Sequence, residues 1–341
     1  MSTNNGITAR FWGVRGSVPA PLTPAKVEEK VTYAVMQALA QKLPLDSSFT
    51  QIREWLKREL PFERRATFGG NTTCVEVRCG SLLIILDMGT GIRELGLSLL
   101  PQVFQRKGFD CVILQSHVHW DHIQGVPFWA ELYMGETKGF HNNSCFYGGK
   151  EWDKSLEEVL RGQMDQPVFP IDFGEITQTG MKMQFETVYD GKVLELITPE
   201  KEKVHVLVKK LNHPQETFGY RIEYKGEVFT FCTDHEPYAA LDPNLVTLAR
   251  GADVFVTDCQ YTYHGYCGHG GVSKLGWGHS YPEYIAEVVR EAKPRVVITT
   301  HHDPQADDEL VMEIARKVQE ISSIKTLPAY EGLNLRCSEF K

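Results

Sequence analysis

Two kinds of apolar pattern take turns along this chain, and their order predicts its layout. Short β-branched or apolar runs bounded by glycine predict strands at Ile7–Val14, Thr72–Cys79 and Leu82–Asp87, joined by tight turns. Within Thr72–Cys79, Cys74, Glu76 and Arg78 fall on one face and Thr73, Val75, Val77 and Cys79 on the other, the period of a half-buried strand. Cys111–Ser116 is a short apolar run that suits a fully buried strand, and further strands are predicted at Lys182–Val188, Val204–Leu211, Gly219–Tyr224, Val228–Cys232, Val254–Asp258 and Arg295–Thr299. Spacings of three and four predict helices at Gly91–Leu100, Lys154–Met164, Asn244–Arg250, Tyr281–Ala292 and Asp307–Ile321. In the last, Leu310, Ile314 and Val318 are four apart, with Asp307 and Asp308 at the positive end of the helix dipole. Strands dominate both halves and helices recur between them. That order predicts an α+β sandwich of two sheets with helices outside, because a purely parallel sheet would need a helix after nearly every strand.

Residues 21–67 break the series. Thr23-Pro24 opens a helical pattern through Val27, Val31 and Val35, and Ser48 with Gln51 forms a candidate capping box ahead of Ile52, Trp55 and Leu56. A two-helix insertion between the first two strands is expected, serving as a lid, a dimer contact or plain packing. No repeat or Pro/Gly/Ser-rich linker divides the chain, so residues 1–341 are expected to form one domain carrying this insertion.

Composition narrows the function classes. Hydrophobic residues make up 42% and charged residues 23% of the 341, the mix of a globular protein with a sizeable core. A net charge of −8 disfavours bulk nucleic-acid binding, which rests on a basic excess that releases counterions. No apolar run approaches the length of a membrane span, and MSTNNGITARFWG lacks the charged start and apolar stretch of a signal peptide, so a cytoplasmic address is expected. The eight cysteines include no CxxC pair and do not suggest a disulfide framework or a four-cysteine zinc site.

The chemistry concentrates in Ser116-His117-Val118-His119-Trp120-Asp121-His122, directly after a buried strand. His117 and His119, two apart on extended chain, point to one side, and Asp121 and His122 arrive as the chain turns. Four nitrogen or carboxylate donors within six residues suit two ions about 3.5–4 Å apart, with donors divided between them. Six residues cannot fill two coordination spheres, so later donors are required. His213, Asp234 and His301 each stand just past an apolar strand, and their convergence on one sheet edge supplies them. Asp234 is the natural bridge, because a carboxylate has two oxygens.

His-Val-His-Trp-Asp-His matches the HxHxDH signature, and the chain resembles the metallo-β-lactamase superfamily over nearly its whole length outside residues 21–67. It looks most like the phosphodiesterase branch that includes ribonuclease Z and the cyclic phosphodiesterases, on the segments FWGVRGSVP, GGNTTC, LDMGTGIRELG, HPQETFGYRIE, FCTDHEP, GWGHS and THHDP. The resemblance implies a four-layer αββα sandwich. It places His117, His119 and His213 on one metal ion and Asp121, His122 and His301 on another, with Asp234 shared. Zinc and manganese both suit that donor set. Asp87 resembles the aspartate that braces the histidine loop, a role compatible with an ordinary turn Asp before Gly89. His279 resembles the ribonuclease Z GHS histidine that acts beside the scissile phosphate, although no acidic partner stands just upstream of Asp234 to orient it. Arg15, Ser17, Asn71 and Thr72 are candidate phosphate contacts or ordinary turn residues. His264, Cys267 and His269 fall short of a third metal site and suit a substrate-facing loop.

The expected activity is hydrolysis of small phosphodiesters, cyclic nucleotides first, by hydroxide generated between two divalent ions. Asp121 would hold the nucleophile, and His279 would position the phosphate or protonate the leaving oxygen. The alternative is ribonuclease Z-like processing of transfer-RNA 3′ ends. A glyoxalase-type thioesterase or lactonase shares HxHxDH but lacks the GHS and THHD pieces, and a scaffold with a dead site would have lost donors. Relatives in this branch often form homodimers, so the expected partners are a small phosphodiester and a second copy of the chain, with no membrane.

Overall fold

The computed structural model describes residues 6–269 and 271–341. Residues 1–5, at the start read for a signal peptide, and Gly270 of the 261–271 loop lie outside the described residues. The chain first lays down β1 (Ile7–Gly13), β2 (Cys74–Cys79), β3 (Leu82–Leu86), β4 (Asp110–Leu114), β5 (Asn143–Gly148) and β6 (Lys182–Thr187). It then builds β7 (Val193–Ile197), β8 (Lys203–Leu211), β9 (Thr217–Tyr224), β10 (Glu227–Cys232), β11 (Val254–Asp258), β12 (Val296–Thr300) and β13 (Thr326–Pro328), and returns with β14 (Asn334–Arg336) to the edge of the first sheet. The sheets run β14-β1-β2-β3-β4-β5-β6 and β13-β12-β11-β10-β9-β8-β7. In each, pairing is antiparallel at first and becomes parallel, from β3 onward in one and from β10 onward in the other.

Three apolar layers hold the sheets. Phe11, Val75 and Ile84 meet Tyr220, Phe229 and Val256 between them. On the outer face of the first sheet, Leu83 and Ile85 pack against Leu95, Leu99 and Val103 of helix Gly91–Arg106. On the outer face of the second, Phe255 and Val297 pack on Ile285 and Val289 of helix Pro282–Ala292 and Ile314 of helix Asp308–Ser322. The result is an αββα sandwich.

Two expectations need correction. β2 is buried on both faces rather than half-buried: Val75 and Val77 enter the inter-sheet core, while Cys74 enters the layer beneath the first helices. Its Glu76 is accommodated by accepting from Trp12 Nε1 at 2.9 Å and pairing with Arg78. The helix predicted to end at Leu100 continues through Pro101 to Arg106, because burial of Val103 outweighs the one backbone bond a proline removes.

The insertion forms the two expected helices, Pro24–Ala40 capped by Thr23 and Phe49–Glu59 closed by the Ser48–Gln51 box, and adds a third, short one at Phe62–Arg65. It docks through Phe62 and Phe68 against Ala306 and Val311, and through Lys30, 3.0 Å from Asp308. Asp308 is thus a buried hub, also accepting from the Phe68 N–H, as well as a residue of the helix's first turn. Helix Pro24–Ala40 buries none of its residues and leaves Val31, Val35 and Leu39 exposed. No helix among the described residues is long and apolar enough to cross a membrane.

Glu131, fully buried behind the first sheet, has no hydrogen-bond partner for either carboxylate oxygen among the described residues. Burial pushes its carboxyl up to about 7 from 4.5. The unfolded chain therefore releases a proton that the folded protein still holds, so stability falls as pH rises from about 4.5 to 7, by up to about 3 kcal/mol. Glu131→Gln should abolish that slope. Urea midpoints of both proteins at pH 5 and pH 7.5 test it; an identical pH dependence in the two would refute the assignment.

Candidate metal centre

β8, β10, β11 and β12 run in the same direction, so the residues that follow them emerge at one edge of the second sheet. His213, Asp234, Asp258 and His301 stand at those ends, opposite the loop that follows β4. Strand ends bring together side chains far apart in sequence while leaving the ladders intact.

The β4 loop is tied down by Asp87, which sits in a left-handed conformation (φ 60°) after β3. One carboxylate oxygen accepts from the Ser116 N–H at 2.7 Å; the other accepts from the Ser116 hydroxyl at 2.7 Å and His122 Nδ1 at 2.8 Å. The bracing role and the turn role of Asp87 coincide. His117 and His119 lie on one side with ring centroids 4.5 Å apart, and the short helix Trp120–Ile123 swings Asp121 and His122 to the other.

Donor atoms of His117, His119, His213 and Asp234 lie within 4.8 Å of one another, as do those of Asp121, His122 and His301. Asp234 faces both groups. One of its oxygens lies 3.5 Å from His117 Nε2, and the other lies 3.3 Å from both His122 Nε2 and His301 Nε2. The seven residues expected as metal donors are thus brought together around Asp234.

The donor set fits metal ions. His117 Nε2 and His213 Nε2 are buried without hydrogen-bond partners, a costly arrangement unless something else uses their lone pairs. Burial holds His117 and His119 below the usual imidazole range and brings His213 down to about 4, so these rings are neutral and able to ligate. Across Asp234 the balance reverses. Burial opposes charge on His301, yet Asp234, Asp121 and Asp258 outweigh it and raise the ring to about 10. His122 is raised for the same reason, chiefly by Asp121 and Asp234. Three carboxylates that draw protons onto two imidazoles mark a place that demands positive charge.

His279 sits beside both groups, its ring centroid 4.9 Å from His301. Its missing orienter is Asp258, at the end of β11: Nδ1 donates to Asp258 Oδ2 at 2.8 Å, while Asp258 Oδ1 accepts from the Ser280 N–H. This leaves Nε2 as the free ring nitrogen. Asp258 and His279 also lie within one 4.8 Å cluster with Asp234 and His301, but their nearest atoms are already engaged with each other. His279 precedes the helix cap Tyr281 by two residues, and Asp258 fixes its ring. The sequence signal for Asp258 was an acid closing an apolar strand, the same signal that marked Asp234.

One more residue, Glu236, escaped the sequence. It accepts from Tyr266 Oη and from the Gly276 and Gly278 N–H groups, pinning the loop that carries His279. Ser17, also left-handed, donates its backbone N–H to Asp121 at 2.7 Å, and a Cβ on neighbouring Gly16 would meet the His301 ring at 2.5 Å. The early FWGVRGS segment thus braces the centre. Arg15 is not a phosphate contact: its buried guanidinium donates to the Gly69, Asp303 and Ala306 carbonyls. Thr72 exchanges hydrogen bonds with Thr90, and the Asn71 backbone pairs with Val14, Arg15 and Glu331, so both segments are structural. His264 and His269 approach at 3.0 Å, but among the described residues Cys267 does not join them in a group of three donors.

Gly278 has φ +90°, and a Cβ there would lie 2.3 Å from the His213 ring. Gly278→Ala should displace His213 or His279 and lower kcat/KM by about 10²-fold, the usual consequence of misplacement by about 1 Å. Steady-state kinetics with metal titration check this; activity within twofold of the parent would show that the loop yields freely.

A model of the β-lactamase superfamily domain matches residues 83–302. The chain belongs to the metallo-β-lactamase superfamily. Its relatives lie in the ribonuclease Z and phosphodiesterase branch of these metal-dependent hydrolases. Ribonuclease Z of Oceanobacillus iheyensis is 25% identical over 156 residues, 43% of this chain and 45% of that enzyme. The chain thus spans about half the length of the curated relatives it matches. The metallo-β-lactamase fold protein YhfI of Bacillus subtilis superposes with TM-score 0.61 at 12% identity, over 96% of this chain and 98% of that one. A diphosphatase of the PhnP family does so with TM-score 0.59 at 16% identity, over 97% of each. At such identities the superpositions establish the shared superfamily fold, and the side chains must speak for the chemistry.

Proposed function

We propose that this superfamily member hydrolyses small phosphodiesters, cyclic nucleotides foremost, at a centre of two divalent ions, zinc or manganese. The observation that carries the proposal is Asp234 turning one oxygen to each of two donor groups, beside a histidine oriented by Asp258. His117, His119 and His213 would hold one ion, Asp121, His122 and His301 the other, and Asp234 both. When bound, such ions supply positive charge for phosphoryl oxygens and lower the pKa of water toward neutrality.

The chain's own groups do the rest. Asp258 accepts from His279 Nδ1–H and so stabilises the doubly protonated ring, whose Nε2–H can pass its proton to the leaving oxygen. Asp121, held by the Ser17 N–H, keeps a carboxylate at the second group to orient the attacking water. Substrate size follows from the hairpin β9–β10, which with its flanks fills the 20 positions between His213 and Asp234. In ribonuclease Z the arm that grips transfer RNA would stand there, and a hairpin leaves no length for one. The net charge of −8 points the same way.

Transfer-RNA 3′ processing is the second reading, favoured by the ribonuclease Z match. Metal analysis followed by 3′,5′- and 2′,3′-cyclic nucleotides, bis(p-nitrophenyl) phosphate and precursor transfer RNA separates the two. Cleavage of cyclic nucleotides with two ions per chain is expected. Salt-sensitive cleavage of precursor transfer RNA, with no turnover of any cyclic nucleotide, would reverse the order.

A further inference from the structure

A cavity of about 400 Å³ adjoins the metal centre, and the proposed reaction leaves most of its lining unused. Gln260, Tyr261, Thr262, Lys274, Asp303 and Gln305 line it. Two of them are shared with the cleft. The Tyr261 ring meets His279 edge-on, centroids 5.7 Å apart. The Gln260 amide lies 3.4 Å from the hydroxyl of Ser17, whose N–H holds Asp121. Gln260 is 1% exposed and its Oε1 has no partner; whichever way the amide is turned, one end remains unsatisfied.

The cavity lining holds two oppositely charged side chains, Lys274 and Asp303. The Lys274 ammonium lies 3.9 Å from the Trp277 ring centroid and 5.9 Å from that of Tyr261, with no carboxylate in ion-pair range among the described residues. Asp303, the acid in the same lining, accepts instead from the Gln305 N–H at 2.7 Å. Aromatic faces hold a cation in place without neutralising it. An un-neutralised ammonium beside a cleft that carries Asp121, Asp234 and Asp258 offers an anionic group a local foothold.

The direction of entry follows from His279. The Tyr261 ring packs on His279 and also lines this cavity, so a leaving group served by that histidine would have the cavity next to it. We propose that the cavity receives the leaving-group half of the substrate, and that Lys274 pairs with a second phosphate carried there. Among the cyclic nucleotides and other phosphodiesters proposed above, those whose leaving-group half carries a further phosphate, as in cyclic dinucleotides, are then preferred over those whose leaving group is uncharged. This rests on the phosphodiesterase reading above and names the substrate class within it.

Calorimetry of the metal-loaded protein with adenosine 5′-monophosphate and adenosine 3′,5′-bisphosphate tests the pairing without turnover. The bisphosphate should bind about tenfold more tightly, the scale of one charge-assisted phosphate contact. That ratio should fall to about twofold or less in Lys274→Met and survive in Lys274→Arg. A wild-type protein that binds both probes equally, or a Lys274→Met protein that keeps the full ratio, overturns the proposal. Bis(p-nitrophenyl) phosphate assayed on the same sample separates the two readings: failure to hydrolyse it counts against the phosphodiesterase reading, whereas the affinity ratio decides Lys274.

Discussion

Asp234→Ala will depopulate both halves of the centre. The wild-type protein should hold two ions per chain after metal loading, and the variant at most one, weakly. Each oxygen of Asp234 faces a different donor group, at 3.5 Å from His117 and 3.3 Å from His122 and His301, so neither group keeps its fourth donor. Phosphodiester hydrolysis should fall by about 10³-fold or more, because the charge stabilisation supplied by bound metal is worth several kcal/mol. Asp121→Ala gives the contrast: it touches only the His122 and His301 side and should spare the first ion. Elemental analysis and a competitive chelator titration of both variants report the outcome. An Asp234→Ala protein that keeps two tightly held ions would show that the carboxylate does not bridge.

His279→Ala should do the opposite, keeping both ions while losing turnover. The seven other residues already give each group four donors when Asp234 is counted in both, and His279 Nδ1 is engaged by Asp258 at 2.8 Å. Loss of a general acid costs about 10²–10⁴ in rate on a substrate with an alkoxide leaving group. The loss should shrink for a p-nitrophenolate leaving group, which departs with little help from a proton. Asp258→Asn should show the same leaving-group dependence with a smaller loss, since an amide can hold the ring in the wrong tautomer. Equal losses on both substrates would make His279 a phosphate positioner, and a His279→Ala protein stripped of metal would make it a ligand.

Much of the fold was legible in the pattern. The ten strands marked by glycine-bounded or β-branched runs all form, because such runs bury themselves almost wherever they pair. Four others were not marked. β5 (Asn143–Gly148) begins Asn-Ser and owes its place to parallel partners on both sides, β4 and β6. β13 and β14 have three residues each, too few for a period. β7 does alternate, with Leu194 and Leu196 buried between exposed neighbours, and was detectable by that alternation. The short helix Phe173–Thr179 is likewise held by burying Phe173 and Ile176 rather than by length.

The division of labour at the site is sharper. By itself the sequence determined the donors: imidazole and carboxylate chemistry is a property of residue type, and a six-residue cluster or a strand-end His or Asp is visible without coordinates. Only the tertiary structure decided what those donors do. Asp234 faces both donor groups because β10 ends where its two oxygens point apart. Asp258 orients His279 because β11 lies beside β10 in the sheet, which sets Asp258 next to the site of Asp234 although it stands 24 positions on in sequence. Arg15 carries the same charge in either setting, yet the structure surrounds it with the carbonyls of Gly69, Asp303 and Ala306 and so removes it from the substrate's reach. Residue chemistry is local, whereas a side chain's role depends on which atoms reach it, and those atoms arrive through contacts between residues up to almost 300 positions apart.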